Sequence, residues 1–253
     1  MRCCVDFEDR TAGITTLSIR GHNAPISLRN GTSDFAVFKQ VFIHEQYNLP
    51  AIDESRYIVD AGANIGLTSL YLLLRNPNAQ VIAVEPDSEN LAMAAENLAP
   101  FRDRCCLIQA AVWSQSGTIG ISRGDYRDGR HWATRVETDL KSAAEEVPAM
   151  TIHEIMEVAD FKRIDFLKMD IEGAELQVFR DGETSFLDNT LCCAVECHDQ
   201  KCSSAFGEAV HSHGFSVTEH RELSIATRNE TTELTPVPAG SYRCHPTPSN
   251  SNC

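Results

Sequence analysis

Tyr57 to Gly66 reads YIVDAGANIG, and no other ten residues of the chain restrict its fold as much. Three β-prone residues run into Asp60, glycines follow at 62 and 66, and the apolar run LTSLYLLL comes directly after. A short apolar strand, a glycine turn and a helix make the opening of a βα unit. The rhythm then repeats. QVIAVEP reads as a second strand, and SENLAMAAENLA as its amphipathic helix, capped by Ser88. CLIQAAVW is a third strand, and a helix follows near Ile152–Glu157. IDFLKMD and LCCAVECH are a fourth and a fifth strand, separated by the helix GAELQVFRDG. A helix over 205–212 leads to a last strand, FSVTE. Short apolar strands alternating with helices specify an α/β fold, with a doubly wound, mostly parallel sheet and helices on both faces. Ligands of such sheets bind at the carboxyl ends of the strands, near the topological switch point. Those ends carry Asp60, Glu85, Ala111, Asp170 and His198.

The glycine turn departs from the dinucleotide pattern. G-x-G-x-x-G frees backbone N–H groups to meet a pyrophosphate at a helix N-terminus. This chain reads D-x-G-x-x-x-G instead, with Asp60, Gly62 and Gly66. A carboxylate there repels a pyrophosphate and suits a ligand with an ammonium and no phosphates. S-adenosylmethionine has that chemistry, with an ammonium, a sulfonium, a ribose diol and adenine. Glu85, about 20 residues further on, is placed to accept both ribose hydroxyls. Gly62 is expected to need a positive φ or a close backbone approach to the cofactor.

The flanks are less regular. Residues 1–30 read as short strands and turns. GTSDFAVFKQVF follows, with Ser33 or Asp34 as an N-cap and Phe35, Phe38 and Phe42 on one helix face. Residues 114–147 break the rhythm, and SQSGTIGISRGDYRDGRHW reads as a hairpin and a mobile loop. Its segment from Gly117 to His131 is expected to cover the acceptor site. The divisions expected are 1–50 (N-terminal strands and a helix covering the cofactor site), 51–228 (the cofactor-binding domain) and 229–253 (a flexible Pro/Ser/Asn-rich tail). With 36 acidic against 22 basic residues the chain carries −14, too acidic to gain affinity from phosphate backbones, so nucleic acid is not an expected partner. No apolar run approaches the length of a membrane span. No signal sequence opens the chain, so a cytoplasmic location and reduced thiols for the ten cysteines are expected. The vicinal pairs Cys105-Cys106 and Cys192-Cys193 read as core filler, because each opens an apolar strand-like run, and alternation along a strand separates Cys192 from Cys193, against a zinc site there.

Four stretches, RNGTSDFAVFKQVF, YIVDAGANIGLTSLY, VIAVEPDSENLAMAAENL and FLKMDIEGAELQVF, give the chain its resemblance to the FkbM family of S-adenosylmethionine-dependent methyltransferases. The block K-x-D-x-E-G-x-E, here Lys168, Asp170, Glu172, Gly173 and Glu175, is the most particular to that family. The resemblance implies a Rossmann-like class I methyltransferase fold with a seven-stranded sheet. It also implies methyl transfer to a hydroxyl of a small natural product or sugar, with S-adenosylhomocysteine as co-product. The cofactor residues are then Asp60, Gly62, Asn64, Gly66, Glu85, Pro86, Ala111 and Asp170. A small-molecule acceptor is the expected partner, with a homodimer left open.

Transfer to oxygen requires removal of a proton, which makes a base useful. Asp170, ending the fourth strand, and His198, ending the fifth, are the candidates, with Glu172 and Lys168 beside them. A neutral imidazole is better matched to pH 7 than an ordinary carboxylate. His198 is therefore expected to move the proton and Asp170 to position groups. Lys168 reads as neutralising Asp170 across the strand end, and Glu175 as a first-turn acid of the next helix. Asp170, Glu172, Glu196 and His198 could gather a divalent ion, yet no ligand spacing compels one, and no metal is expected. The [DN]-P-P-[YFW] clamp of many enzymes methylating amide or base nitrogens is missing from KMDIEG. N-methylation is the alternative, followed by an NAD-dependent oxidoreductase and a non-catalytic cofactor-binding module.

Overall fold

The computed structural model describes residues 5–11, 13–19, 25–123, 134–137 and 145–229. The chain opens with three antiparallel strands, β1 (Val5–Thr11), β2 (Ile14–Ile19) and β3 (Pro25–Arg29). Helix α1 (Asp34–Phe38) runs into a π-turn over Lys39–Ile43, and α2 (Pro50–Asp53) follows. The βα units then begin, with β4 (Tyr57–Ala61), α3 (Leu67–Arg75), β5 (Gln80–Val84), α4 (Ser88–Leu98) and β6 (Cys105–Ile108). After β7 (Ala111–Val112), β8 (Gly117–Arg123), β9 (Thr134–Glu137) and β10 (Glu145–Met150) comes α5 (Ile152–Val158). The chain returns to the main sheet as β11 (Ile164–Met169), α6 (Glu175–Asp181), β12 (Thr190–Val195), α7 (Gln200–Ser212), β13 (Phe215–His220) and β14 (Leu223–Arg228).

The main sheet has seven strands in the order β13-β14-β12-β11-β4-β5-β6. Pairing is parallel from β12 to β6, and β14 is antiparallel to both of its neighbours. Strand order reverses between β4 and β11, which makes the mouth between their carboxyl ends the switch point. This is a Rossmann-like, doubly wound sheet, as expected from the sequence. β4 and β11 are buried along their whole length, so they read in the sequence as continuous apolar runs rather than as alternation.

Two hydrophobic layers cover the sheet. Ile58, Val81, Phe166 and Cys192 face one of them, whereas Val59, Ile82, Leu167 and Cys193 face the other. Cys105 and Cys106 divide in the same way, as alternation requires. Cys105, Cys192, Cys193, Cys197 and Cys202 are free thiols, whereas Cys106 is disulfide-bonded and departs from the expectation. Leu17, Ile26, Phe38, Phe42 and Tyr47 join the first layer, so the N-terminal strands and α1 share a core with the central sheet.

Several elements differ from the sequence reading. The third strand divides at Gln109 and Ala110. Its first half stays in the main sheet as β6, and its second half crosses as β7 into a four-stranded sheet of order β7-β10-β8-β9. Gly117–Arg123 is thus a strand, antiparallel to β10 and β9, and residues 124–131 of the expected lid lie outside the described residues. So does the tail from 230 onward. Helix α4 is capped by Asp87, not Ser88, because the Asp87 carboxylate accepts from the N–H groups of Glu89 and Asn90. Helix α5 starts with a full capping box. Thr151 Oγ1 accepts from Glu154 N at 3.3 Å, while Glu154 Oε2 accepts from Thr151 N at 2.9 Å. Thr151→Ala is therefore expected to cost about 1 kcal/mol, read as a small fall in the chemical-denaturation midpoint with an unchanged slope.

Candidate active site

The glycine turn between β4 and α3 has no donors left to offer. Gly62 N and Ala63 N both donate to Val84 O, at 3.0 and 2.9 Å. Asn64 N donates to Glu85 Oε2 at 2.8 Å, Ile65 N to Asn64 Oδ1 at 2.8 Å, and Gly66 N to Ala63 O at 2.8 Å. Every backbone N–H from 62 to 66 is already used, so this turn cannot cradle a pyrophosphate. Gly66 is a packing glycine. At φ +80°, a Cβ there would lie 2.9 Å from Leu98 Cδ1 and 3.2 Å from the Ala94 backbone, on the face of α4.

Asp60 has a different role from the one its position suggests. It is fully buried beneath the turn and does not line the cavity. Parallel register sets Lys168 of β11 directly opposite Asp60 of β4, and the ammonium lies 3.2 Å from Asp60 Oδ1. Ser69 donates to Asp60 Oδ2 at 2.6 Å. Lys168 also donates to Gly62 O at 2.6 Å, tying the pair to the turn. Burial works against the charged amine, but Asp60 outweighs it and raises the Lys168 pKa. Lys168 thus neutralises Asp60, not Asp170. The features that disfavour a phosphate here are the spent N–H groups and Glu85, and not Asp60, which is buried.

A cavity of about 660 Å³ opens at the carboxyl ends of β4, β5, β11 and β12, a size typical of small-molecule sites. Gly62, Asn64, Glu85, Pro86, Ala111, Lys168, Asp170, Glu172 and His198 all line it, whereas Asp60 and Gly66 do not. At one end Glu85, buried, accepts from Asn64 N and from Asp87 N at 3.0 Å. The Asn90 side chain also bonds to this carboxylate, whose remaining acceptor capacity is open to a ligand's hydroxyls. Burial pushes the Glu85 carboxyl up to about 7, against the pull of its backbone donors. Only the ionised form accepts from both hydroxyls of a diol, so S-adenosylhomocysteine affinity should rise with pH up to about 7 and then level off. Calorimetry between pH 6 and 8 checks this. Glu85→Gln should flatten the profile and weaken binding by about 10- to 100-fold.

At the other end the acids converge. His198 Nε2 lies 3.6 Å from Glu172 Oε2 and 3.9 Å from Asp170 Oδ1, and Nδ1 lies 3.6 Å from Glu175 Oε2. Glu175, fully buried, accepts from Ile171 N at 2.6 Å and Gly173 N at 2.9 Å, so it braces the turn after β11 rather than acting only as a first-turn acid. Its carboxylate, with Asp170 and Glu172, raises the His198 pKa to about 9. Burial and then Asp170 push Glu172 to about 7 and Glu196 to about 8. This cluster of acids favours the charged form of His198, against the neutral imidazole expected of a base from the sequence.

The opposite wall comes from residues 36–47, between α1 and α2. Gln46 and Tyr47, both buried, line the cavity there and were missed by sequence reasoning. They follow a helix interrupted by a π-turn, where no periodicity marks a face. Glu196, weighed only as a metal ligand, is a wall residue too.

Comparison with known proteins agrees with this geometry. Residues 60–223 match the methyltransferase FkbM domain. Methyltransferase 1 of Beauveria bassiana is 26% identical over 211 residues, covering 73% of this chain and 82% of that protein. Methyltransferase sdnD of Sordaria araneosa is 26% identical over 219 residues, covering 73% and 83%. The 2-O-methyltransferase NoeI of Sinorhizobium fredii is 27% identical over 188 residues, covering 69% and 74%. The chain belongs to the FkbM methyltransferase family and is an S-adenosylmethionine-dependent methyltransferase.

Proposed function

We propose that the protein methylates a hydroxyl group of a small molecule, a natural product or sugar, inside this cavity. The adenosyl half of the donor lies against Pro86 and Ala111 with its ribose hydroxyls on Glu85. Its amino-acid half points towards Asp170, and S-adenosylhomocysteine leaves after transfer. The observation that carries the reading is the rim beyond the donor, where Asp170, Glu172, Glu196 and His198 meet. An oxygen acceptor must lose a proton, and this rim supplies carboxylates to take it. A nitrogen acceptor held by a flat clamp would need a proline and an aromatic ring at this strand end, where the chain has Asp170-Ile171-Glu172. The relative NoeI, by name a 2-O-methyltransferase, supports the same choice of acceptor atom.

In the transfer the acceptor oxygen forms a bond to the methyl carbon as the carbon–sulfur bond breaks. The sulfonium becomes a neutral thioether, and the hydroxyl proton passes to a rim carboxylate. The cavity's part is to hold oxygen and methyl carbon in line at about 3 Å. Incubation with deuteromethyl-labelled donor and separate pools of polyols, phenols and amines tests the proposal. A labelled methyl ether identified by mass supports it, and label confined to amine nitrogen overturns it.

A further inference from the structure

We propose that Asp170, Glu196 and His198 form a binding site for a divalent cation, Mn2+ or Mg2+, at the acceptor end of the cavity. The proposal rests on the reading of this cavity as a methyl-transfer site. One ligand atom from each of the three residues lies within 4.8 Å of the other two. The gaps around His198 Nε2, 3.9 Å to Asp170 and 3.6 Å to Glu172, are too long for hydrogen bonds. Two ligands sharing an ion at about 2.1 Å stand about 3–4 Å apart, so an ion closes these gaps without moving the backbone.

Behind the ring, Nδ1 stands 3.6 Å from the buried Glu175 carboxylate, whose two oxygens are anchored by Ile171 N and Gly173 N. A fixed carboxylate on that side leaves Nε2 as the ring nitrogen on the side of Asp170 and Glu172. Lys168 does not compete, because its ammonium is paired with Asp60 and Gly62 O.

A second observation points to a ligand here. Gln46, 2% exposed and on the wall of the same cavity, has neither its amide oxygen nor its amide nitrogen hydrogen-bonded. Tyr47, 3% exposed, lines the same wall beside it. Buried polar groups without partners are costly. An ion carrying water or an acceptor hydroxyl supplies both a donor and an acceptor to that wall. Two carboxylates and one imidazole suit Mn2+ or Mg2+ better than a thiophilic ion. The ion would make the hydroxyl of a bound acceptor more acidic.

The test is titration of chelator-stripped protein with Mn2+, read by loss of the free-ion electron paramagnetic resonance signal, with and without S-adenosylhomocysteine. One saturable site is expected, weakened at least 10-fold in both Glu196→Gln and His198→Gln. Calorimetry on the same samples should show S-adenosylhomocysteine affinity within about 2-fold of the wild type. Absence of saturable Mn2+ binding while S-adenosylhomocysteine binds overturns the cation site and leaves the transferase reading standing. Mn2+ binding that both variants retain also overturns it. Loss of S-adenosylhomocysteine binding in the wild type contradicts the underlying reading instead.

Discussion

Gly62→Ala should lower the unfolding free energy of the ligand-free protein by about 3–5 kcal/mol, combining overpacking with backbone strain. A Cβ built at Gly62 lies 1.8 Å from Asp170 O and 2.9 Å from Asp170 C, both backbone atoms at the end of β11. No side-chain rotation relieves such a contact, so β4 and β11 must separate where they close the switch point. The φ of +79° adds strain for any residue with a side chain. The sequence reading asked for a positive φ or a close approach of backbone to cofactor at this glycine, with a larger residue abolishing binding and sparing the apo-protein. The positive φ is present, but the space a Cβ would need is taken by the backbone of Asp170, so the apo-protein itself should suffer. Thermal unfolding without ligand separates the two. A fall in Tm of about 6–20 °C supports the packing account, and an unchanged Tm with lost binding supports the other.

Lys168→Met should be comparably damaging, at about 3–5 kcal/mol, because it leaves the carboxylate of Asp60 buried without its opposite charge. Asp60 is 0% exposed and Lys168 3% exposed, so neither can turn to water. Asp60→Asn combined with Lys168→Met should recover most of the loss, since a neutral amide keeps an acceptor for Ser69 Oγ and no longer needs the ammonium. Denaturation of the two single variants and the double variant closes the cycle. A double variant as unstable as the sum of the singles would show that the charges act independently.

These two residues also show how far the sequence can be read. Asp60 and Gly62 were legible as the mouth of a βα turn, because strands buried on both faces leave continuous apolar runs beside glycine punctuation. Their partners were not. Lys168 stands opposite Asp60 only through the β4–β11 register, and that register belongs to the folded sheet. Gly62 meets Asp170 for the same reason. The ends of β5, β11 and β12 were found, and with them Glu85, Asp170 and His198. The Glu175 carboxylate beneath the His198 ring was not, since the turn after β11 must fold back to put it there. β14 had no helical rhythm before it, because it joins β13 through a tight turn at Arg221 and Glu222 and runs antiparallel. Gln46 and Tyr47 follow the π-turn, in a stretch where neither strand nor helix spacing points inward.

The central claim is that this cavity takes an adenosyl ligand by its ribose diol and refuses a pyrophosphate. Equilibrium calorimetry of S-adenosylhomocysteine and of NADH, against the wild type and Glu85→Gln, tests it directly. The account predicts saturable binding of S-adenosylhomocysteine, about 10- to 100-fold weaker in Glu85→Gln, and no binding of NADH. NADH binding comparable to that of S-adenosylhomocysteine, or an S-adenosylhomocysteine affinity indifferent to Glu85, would contradict it.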